Sequence, residues 1–253
     1  MKLSAWVLFA ACTAGLAPWA QMPPGAQPLD PSQRKLAVDD LSKALKENYV
    51  FPEVAAHSAE FLQKQLASGA YDRDTTAVAF CDDLTRDLRS VAKDRHLRVG
   101  VRPPGETPVA DDSPEARERM KQEMRRVNYG FQKAEILPGN LGYLDLHMFM
   151  TPLIAGETAV AAMNFLGNCD ALIVDLRQNG GGEPAMIQLL STYLFSEPTH
   201  LNDLYFRKGE KRDQYWTLPY APGPKLTGVP VFVLTSSRTF SGAEEFANNL
   251  KVL

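Results

Sequence analysis

The 253 residues are 45% apolar, enough for a substantial core, and the length suits one large or two modest domains. Basic residues number 27 and acidic residues 30, a net charge of −3, so no basic face points to nucleic acid as a partner. Four histidines, His57, His96, His147 and His200, lie far apart, and neither CxxC nor HExxH occurs, so neither a metal nor a cofactor is expected.

Lys2 precedes an apolar run from Leu3 to Ala20 with small residues Ala17 and Ala20 near its end, and residues 1–20 read as a secretory signal peptide. The run is short for a membrane span. A second reading is a lipid anchor at Cys12, after Phe9-Ala10-Ala11, and this is the one route to a membrane. Residues 21–31 hold Pro23, Pro24, Gly25, Pro28 and Pro31 and read as an extended linker. The expected location is therefore outside the cytoplasm, periplasmic or secreted. Export permits a disulfide, but Cys81 and Cys169 are far apart in sequence and read more simply as two small buried side chains.

From Ser32 to Val91 the pattern is helical. Leu36, Val38, Leu41, Leu45 and Tyr49 recur at near-helical spacing, Pro52 breaks the run, and Val54 to Leu66 resumes it. After the turn Gly69-Ala70-Tyr71-Asp72, a third helix spans Thr75 to Val91, and the three make a small bundle over residues 32–92. The period then changes: Leu97, Val99 and Val101 alternate with polar or small residues, which predicts a half-buried strand. Pro103 to Asp112 reads as a loop, and the densely charged Ser113 to Val127 as a solvated helix or a mobile connection. Beyond Gly130, strands are expected at Tyr143 to Met148, Ala171 to Leu176 and Val229 to Leu234, with helices over Thr151 to Leu166 and Glu183 to Phe195. His200 to Leu218, with Tyr205, Tyr215 and Trp216, fits a hairpin. Strands alternating with helices predict an α/β domain with a mainly parallel sheet over residues 93–253.

Two segments could carry chemistry. Thr239-Phe240-Ser241-Gly242-Ala243-Glu244-Glu245 follows an apolar strand and opens a helix, so Ser241 sits at a strand-to-helix turn beside free backbone N–H groups. That suits an acyl-forming serine; the plainer local reading is an N-cap, with Glu244 completing a capping box. Asp175-Leu176-Arg177-Gln178-Asn179-Gly180-Gly181-Gly182 also joins a strand to a helix, and three glycines leave bare N–H groups that can bind an anion or a transient oxyanion. No Gly-Lys-Ser/Thr follows, so this is not a phosphate-binding P-loop, and the plainer reading is a flexible connection. His96 lies between the third helix and the expected strand, where a general base can sit. Together these supply a nucleophile, an oxyanion hole and a base.

The run Leu234 to Phe246 resembles the serine motif of the tail-specific (C-terminal processing) serine proteases, in their interphotoreceptor retinoid-binding protein-like branch. Asp175 to Gly182 resembles that family's glycine turn, and Lys93-Asp94-Arg95-His96-Leu97 its histidine segment. Tyr49-Val50-Phe51-Pro52-Glu53 is similar to the start of its helical bundle, and Gln214 to Pro219 also fits. The resemblance runs from about Leu36 to the end. It implies a ClpP/crotonase-like sheet-and-helix catalytic domain preceded by a small N-terminal helical bundle. Ser241 then matches the nucleophile, His96 the base, and the N–H groups of Gly242 and of Gly181 or its neighbour the oxyanion hole. Asp94 and Arg177 are expected to hold the histidine loop and the glycine turn. The implied activity is that of an exported serine-type peptidase acting on peptides or proteins.

Two departures from the family pattern stand out. Gly100 to Gly130 is too short for a PDZ domain, so none is expected. The sequence stops twelve residues after Ser241, and the resemblance places further strands and the third catalytic residue, Glu or Lys, beyond Leu253. The catalytic domain is therefore expected to be incomplete and its activity impaired. A non-catalytic binder of hydrophobic small molecules on the same fold is the alternative, although a pure binder has no need of a serine and histidine pair. A hydratase or isomerase of crotonase type would need a coenzyme-A pocket, for which no residue speaks.

Overall fold

A computed structural model describes residues 29–101 and 113–253. Contacts divide the described residues into two units: residues 29–101 with Tyr205–Lys211, and residues 113–204 with Arg212–Leu253. The segments read as signal peptide and linker lie outside the described residues, apart from the linker's last three positions, and so does the whole of the loop expected at Pro103 to Asp112.

The first unit contains α1 (Pro31–Asn48), α2 (Pro52–Ala67) and α3 (Ala77–Ala92). Asp30 starts α1 with a full capping box, accepting from the N–H groups of Ser32 and Gln33 while Gln33 reaches back to the Asp30 N–H. Pro52 does not merely interrupt a helix; it opens α2 at the position where a missing N–H costs nothing. Val38, Leu41, Leu45, Leu62, Phe80 and Leu84 are buried between the helices, and the Tyr71 and Phe80 rings meet edge to face at 5.4 Å.

The strand expected after α3 does not form. Leu97 and Val99 are buried, which accounts for the alternation, but the segment has no strand partner among the described residues. Side chains of α3 satisfy its backbone instead. Thr85 Oγ1 accepts from the Val99 N–H at 2.9 Å and lies 3.2 Å from the Val99 carbonyl, and Arg89 Nε donates to the Leu97 carbonyl at 2.9 Å. Period two marks burial, and burial against a helix produces it as well as burial in a sheet.

The second unit begins with α4 (Pro114–Arg125), which buries no residue and is the solvated helix its charge density predicts. Between it and the sheet no PDZ domain is evident. Then follow β1 (Phe131–Leu137), β2 (Leu141–Leu146), α5 (Pro152–Leu166), β3 (Ala171–Asp175), α6 (Pro184–Thr192), β4 (His200–Phe206), β5 (Lys211–Trp216), β6 (Val231–Leu234) and α7 (Gly242–Val252). The sheet order is β1-β2-β3-β6. The first pair is antiparallel and the other two are parallel, with Leu144 opposite Val174 and Asp175 opposite Leu234. β4 and β5 form the expected hairpin.

One sheet face, with Leu144, Leu146, Leu172 and Val174, is buried in a single core with Ala159 and Met163 of α5, Ile187 and Leu190 of α6, and Phe246 of α7. The described fold is thus α/β, a helical unit followed by a mixed sheet with helices.

Candidate active site

Strands β2, β3 and β6 run the same way, so their carboxyl ends share one edge of the sheet. Open α/β sheets bind ligands at that edge. Three segments leave from it: His147 to Met150 after β2, Leu176 to Gly182 after β3, and Thr235 to Ser241 after β6.

Asn179 ties these segments together. It is fully buried. Its Nδ2 donates to the Leu146 carbonyl at 2.9 Å, its Oδ1 accepts from the Gly181 N–H at 2.8 Å, and its own carbonyl accepts from the Phe240 N–H at 3.0 Å. The glycine turn is also laced to the chain after β2: the Phe149 N–H donates to the Gly181 carbonyl, and the Glu183 N–H to the Phe149 carbonyl. These bonds use the N–H groups of Gly181, Phe149 and Glu183 and leave those of Gly182 and Gly242 out of the lacing.

Glycine is required at two positions of this turn. Gly181 has φ +99°, and a Cβ there would lie 2.8 Å from both the Phe240 carbonyl oxygen and Ser241 Cβ, and 2.9 Å from the Gly242 nitrogen. Gly182 has φ +149°, and a Cβ would sit 2.1 Å from the Phe149 carbonyl oxygen. The turn therefore lies directly against Ser241 and Gly242. The structure brings Ser241, Gly242 and Gly181 together, but it commits the Gly181 N–H to Asn179.

Ser241 is the N-cap of α7, as the plainer sequence reading expects: Glu244 accepts from its N–H at 2.8 Å, and its own side chain faces the Glu244 N–H, the two halves of a capping box. Its backbone is nonetheless unlike that of an ordinary cap. Thr76 and Ser113 show the ordinary arrangement, with φ −126° and −61° and side-chain oxygens that accept from the N–H of Ala79 and Ala116 at 3.2 and 3.1 Å. Ser241 has φ 56° and ψ −123°. A non-glycine residue avoids that region unless its surroundings hold it there, and such strain gathers at functional positions, the serine of a strand-to-helix nucleophile turn among them.

The loop before Ser241 is held firmly enough to bear this strain. Thr239 Oγ1 donates to the Leu176 carbonyl at 2.8 Å and accepts from the Ser236 N–H, while Ser236 Oγ donates to the Arg177 carbonyl at 2.6 Å. Asp175, at the end of β3, accepts from the Arg177 N–H and guanidinium and from the Tyr143 hydroxyl at 2.8 Å. The bond from the Arg177 side chain is the chief reason the Asp175 carboxyl is held down to about 2; burial opposes it, and the Arg177 N–H and Tyr143 hydroxyl add to it. Burial first, and then Asp175, push the Tyr143 hydroxyl upward. The Arg177 side chain thus braces the end of β3, two residues before Asn179, through Asp175.

His96 belongs to the first unit. Lys93, in the left-handed conformation with φ 54°, ends α3, and His96 follows three residues later. Asp94 Oδ1 accepts from the His96 N–H and lies 2.9 Å from ring Nδ1. Asp94 Oδ2 accepts from the Tyr49 hydroxyl at 3.1 Å. Burial alone would raise the Asp94 carboxyl, but bonds from the His96 backbone, its ring and Tyr49 together hold it below its ordinary range. Burial and the adjacent carboxylate push the Tyr49 hydroxyl up to about 12.

Asn179, Gly182 and the Tyr49 hydroxyl carry more than the sequence reading gave them. An asparagine before a glycine run is a recognised side-chain turn signal. Tyr49 was legible as a core position and as the first residue of a family motif, but not as a donor to Asp94.

A strained serine at a helix N-terminus, packed on a glycine turn at the carboxyl edge of a partly parallel sheet, is a backbone arrangement that a nucleophilic serine can use. Residues 140–253 match peptidase family S41, and residues 32–133 match the N-terminal domain of peptidase S41 in eukaryotic IRBP. The chain belongs to peptidase family S41, with the IRBP-type N-terminal domain. Similar solved structures include a Bacteroides fragilis protein assigned to the S41 proteases, 26% identical over 48% of this chain and 36% of that one, with a TM-score of 0.40. They also include the photosystem II D1 C-terminal processing protease, 28% identical over 46% of this chain and 30% of that one, with a TM-score of 0.35. The chain thus spans about a third of the length of these two. A Parabacteroides merdae protein assigned as a peptidase is 18% identical over 89% of this chain and 73% of that one, with a TM-score of 0.49.

Proposed function

We propose that this chain is an exported serine peptidase in which Ser241 is the nucleophile. The observation that carries the reading is the Ser241 backbone, at φ 56° and ψ −123° on the N-terminus of α7, against Gly181 and Gly182, where no side chain fits. Ser241 Oγ attacks the carbonyl carbon of a peptide bond and its proton passes to His96, assigned as the base on its motif. The N–H of Gly242 and that of Gly182 receive the oxyanion; Gly181, whose N–H is committed to Asn179, contributes its conformation. The amine leaves with the proton from His96, and water then releases the acyl group from Ser241.

The substrate class is peptide or protein, carried over from the family. Export rests on Lys2 and the apolar run that follows it, with Cys12 as the alternative lipid-anchored form. A binder of hydrophobic small molecules would call for an apolar cavity. At the strand ends, where the proposed chemistry sits, the described depression of about 430 Å³ is lined by polar groups, among them Asp145, His147, Asp175, Arg177 and Arg238. Such a binder would also have no use for a strained serine.

Labelling with a fluorophosphonate probe tests the reading. We expect covalent labelling of the chain that Ser241→Ala abolishes. Equal labelling of both, or none of a chain shown to be folded, would overturn it.

A further inference from the structure

His96 is one of three described histidines paired with a nearby aspartate, and its aspartate is the one held from behind by a buried, neutral donor. His147 Nε2 lies 3.0 Å from Asp145 Oδ1. His200 Nε2 lies 2.6 Å from Asp203 Oδ1, whose other oxygen meets the exposed Arg212 at 3.3 Å. At Asp94 both oxygens are used within the first unit: Oδ1 by the backbone and ring of His96, and Oδ2 by the hydroxyl of Tyr49, whose residue is only 3% exposed. Tyr49 is fixed in turn. Its N–H donates to the Leu45 carbonyl as the C-cap of α1, and its carbonyl, with that of Lys46, accepts from Arg207 Nη1 at 2.8 and 3.0 Å.

We propose that Tyr49 and Asp94 are positioning residues for His96, forming a line from the end of α1 to the imidazole that sets its tautomer and its ring plane. A carboxylate only accepts, so a neutral ring beside Asp94 Oδ1 carries its proton on Nδ1 and its lone pair on Nε2, the nitrogen with which a base would act. Tyr49, a neutral donor, steadies the carboxylate without neutralising it, whereas a cation in its place would compete with the imidazolium for the charge. The Tyr49-Val50-Phe51-Pro52 motif thereby acquires a role beyond starting α2. This inference rests on His96 being the base for Ser241.

The experiment combines nitrogen-15 NMR of the His96 ring with fluorophosphonate labelling rates, in the intact chain and in Tyr49→Phe, Asp94→Asn and His96→Ala. The expected wild-type ring is the Nδ1–H tautomer. Asp94→Asn mixes the tautomers and slows labelling by roughly 10²–10⁴-fold. Tyr49→Phe keeps the ring's packing and slows labelling by about 3- to 10-fold. Asp203→Asn, at the partner of His200, leaves the rate unaltered. If His96→Ala abolishes labelling while Tyr49→Phe and Asp94→Asn match the wild type in rate and tautomer, the positioning roles fail and the base assignment stands. If His96→Ala labels like the wild type, the base assignment itself fails and the positioning roles fall with it.

Discussion

The two halves of the proposed chemistry are built from different material. Around Ser241 the working parts are backbone: the Gly181 and Gly182 conformations, the start of α7, and the peptide groups laced by Asn179 and Phe149. Around His96 they are side chains, the Tyr49 hydroxyl and the Asp94 carboxylate. Backbone machinery is all-or-none, because a Cβ in the wrong place has nowhere to go. Side-chain machinery is graded, because each bond can be removed while the fold remains. A side chain added at the glycines of the serine half should therefore cost stability and function together, and the histidine half should lose function first.

The largest effect is expected at Gly182. An alanine there meets the Phe149 carbonyl oxygen at 2.1 Å and must hold φ +149°, so Gly182→Ala should cost roughly 3–5 kcal/mol in urea unfolding. Gly181→Ala should follow at roughly 2–4 kcal/mol, and any folded fraction should lose fluorophosphonate labelling, because the new methyl group occupies the space beside Ser241 Cβ. In the histidine half, Asp94→Asn should cost no more than about 1.5 kcal/mol, since His96 is 41% exposed at its side chain and the pair is only partly withdrawn from water. Similar stability losses at Gly182 and Asp94 would break the comparison.

The same division decides what was legible in the sequence. Glycines and a serine at strand-to-helix junctions announce backbone machinery directly, because few other residues can take those conformations. Ser241, Gly242 and the glycine turn were all visible, and so were the strands and helices that deliver them. The Asn179 and Phe149 lacing was not, because it joins segments some thirty residues apart through groups with no periodic signal. Side-chain machinery hides more thoroughly. Tyr49 counted as one more apolar position on α1 and as the first residue of a family motif, and only its geometry shows the hydroxyl facing Asp94. The missed segment after α3 has the same cause: Thr85 and Arg89 stand in for a neighbouring strand, and no pattern of Leu97 and Val99 reveals that.

Asp175 sits between the two kinds, a side chain that holds backbone. Its folded carboxyl titrates at about 2, below the ordinary aspartate value near 4. A depressed folded value means that its stabilisation is fully present above roughly pH 4 and is lost as the pH falls toward 2. Asp175→Asn should therefore cost roughly 1–2 kcal/mol at neutral pH. The gap between variant and wild type should close as unfolding is followed from pH 5 to pH 2. A gap that stays constant over that range would show that the Arg177 and Tyr143 bonds to Asp175 do not depend on its charge.

The smallest effect is the most discriminating, because it sets Ser241 against the chain's own ordinary cap. Ser113 has a cap's dihedrals and accepts from the Ala116 N–H at 3.1 Å, so Ser113→Ala should cost about 1 kcal/mol of helix stability, and Ser113→Gly only a few tenths. Ser241 holds φ 56°, where a Cβ is unwelcome and glycine is at ease. If that strain is held for catalysis, Ser241→Gly should raise stability, by up to about 1 kcal/mol, while abolishing labelling. A cap that works for the fold loses stability when truncated. Thermal unfolding of the two Ser→Gly variants side by side makes the distinction. A loss at Ser241 as large as that of Ser113→Ala would mean that the serine is there to start α7, and that its dihedrals cost the fold nothing.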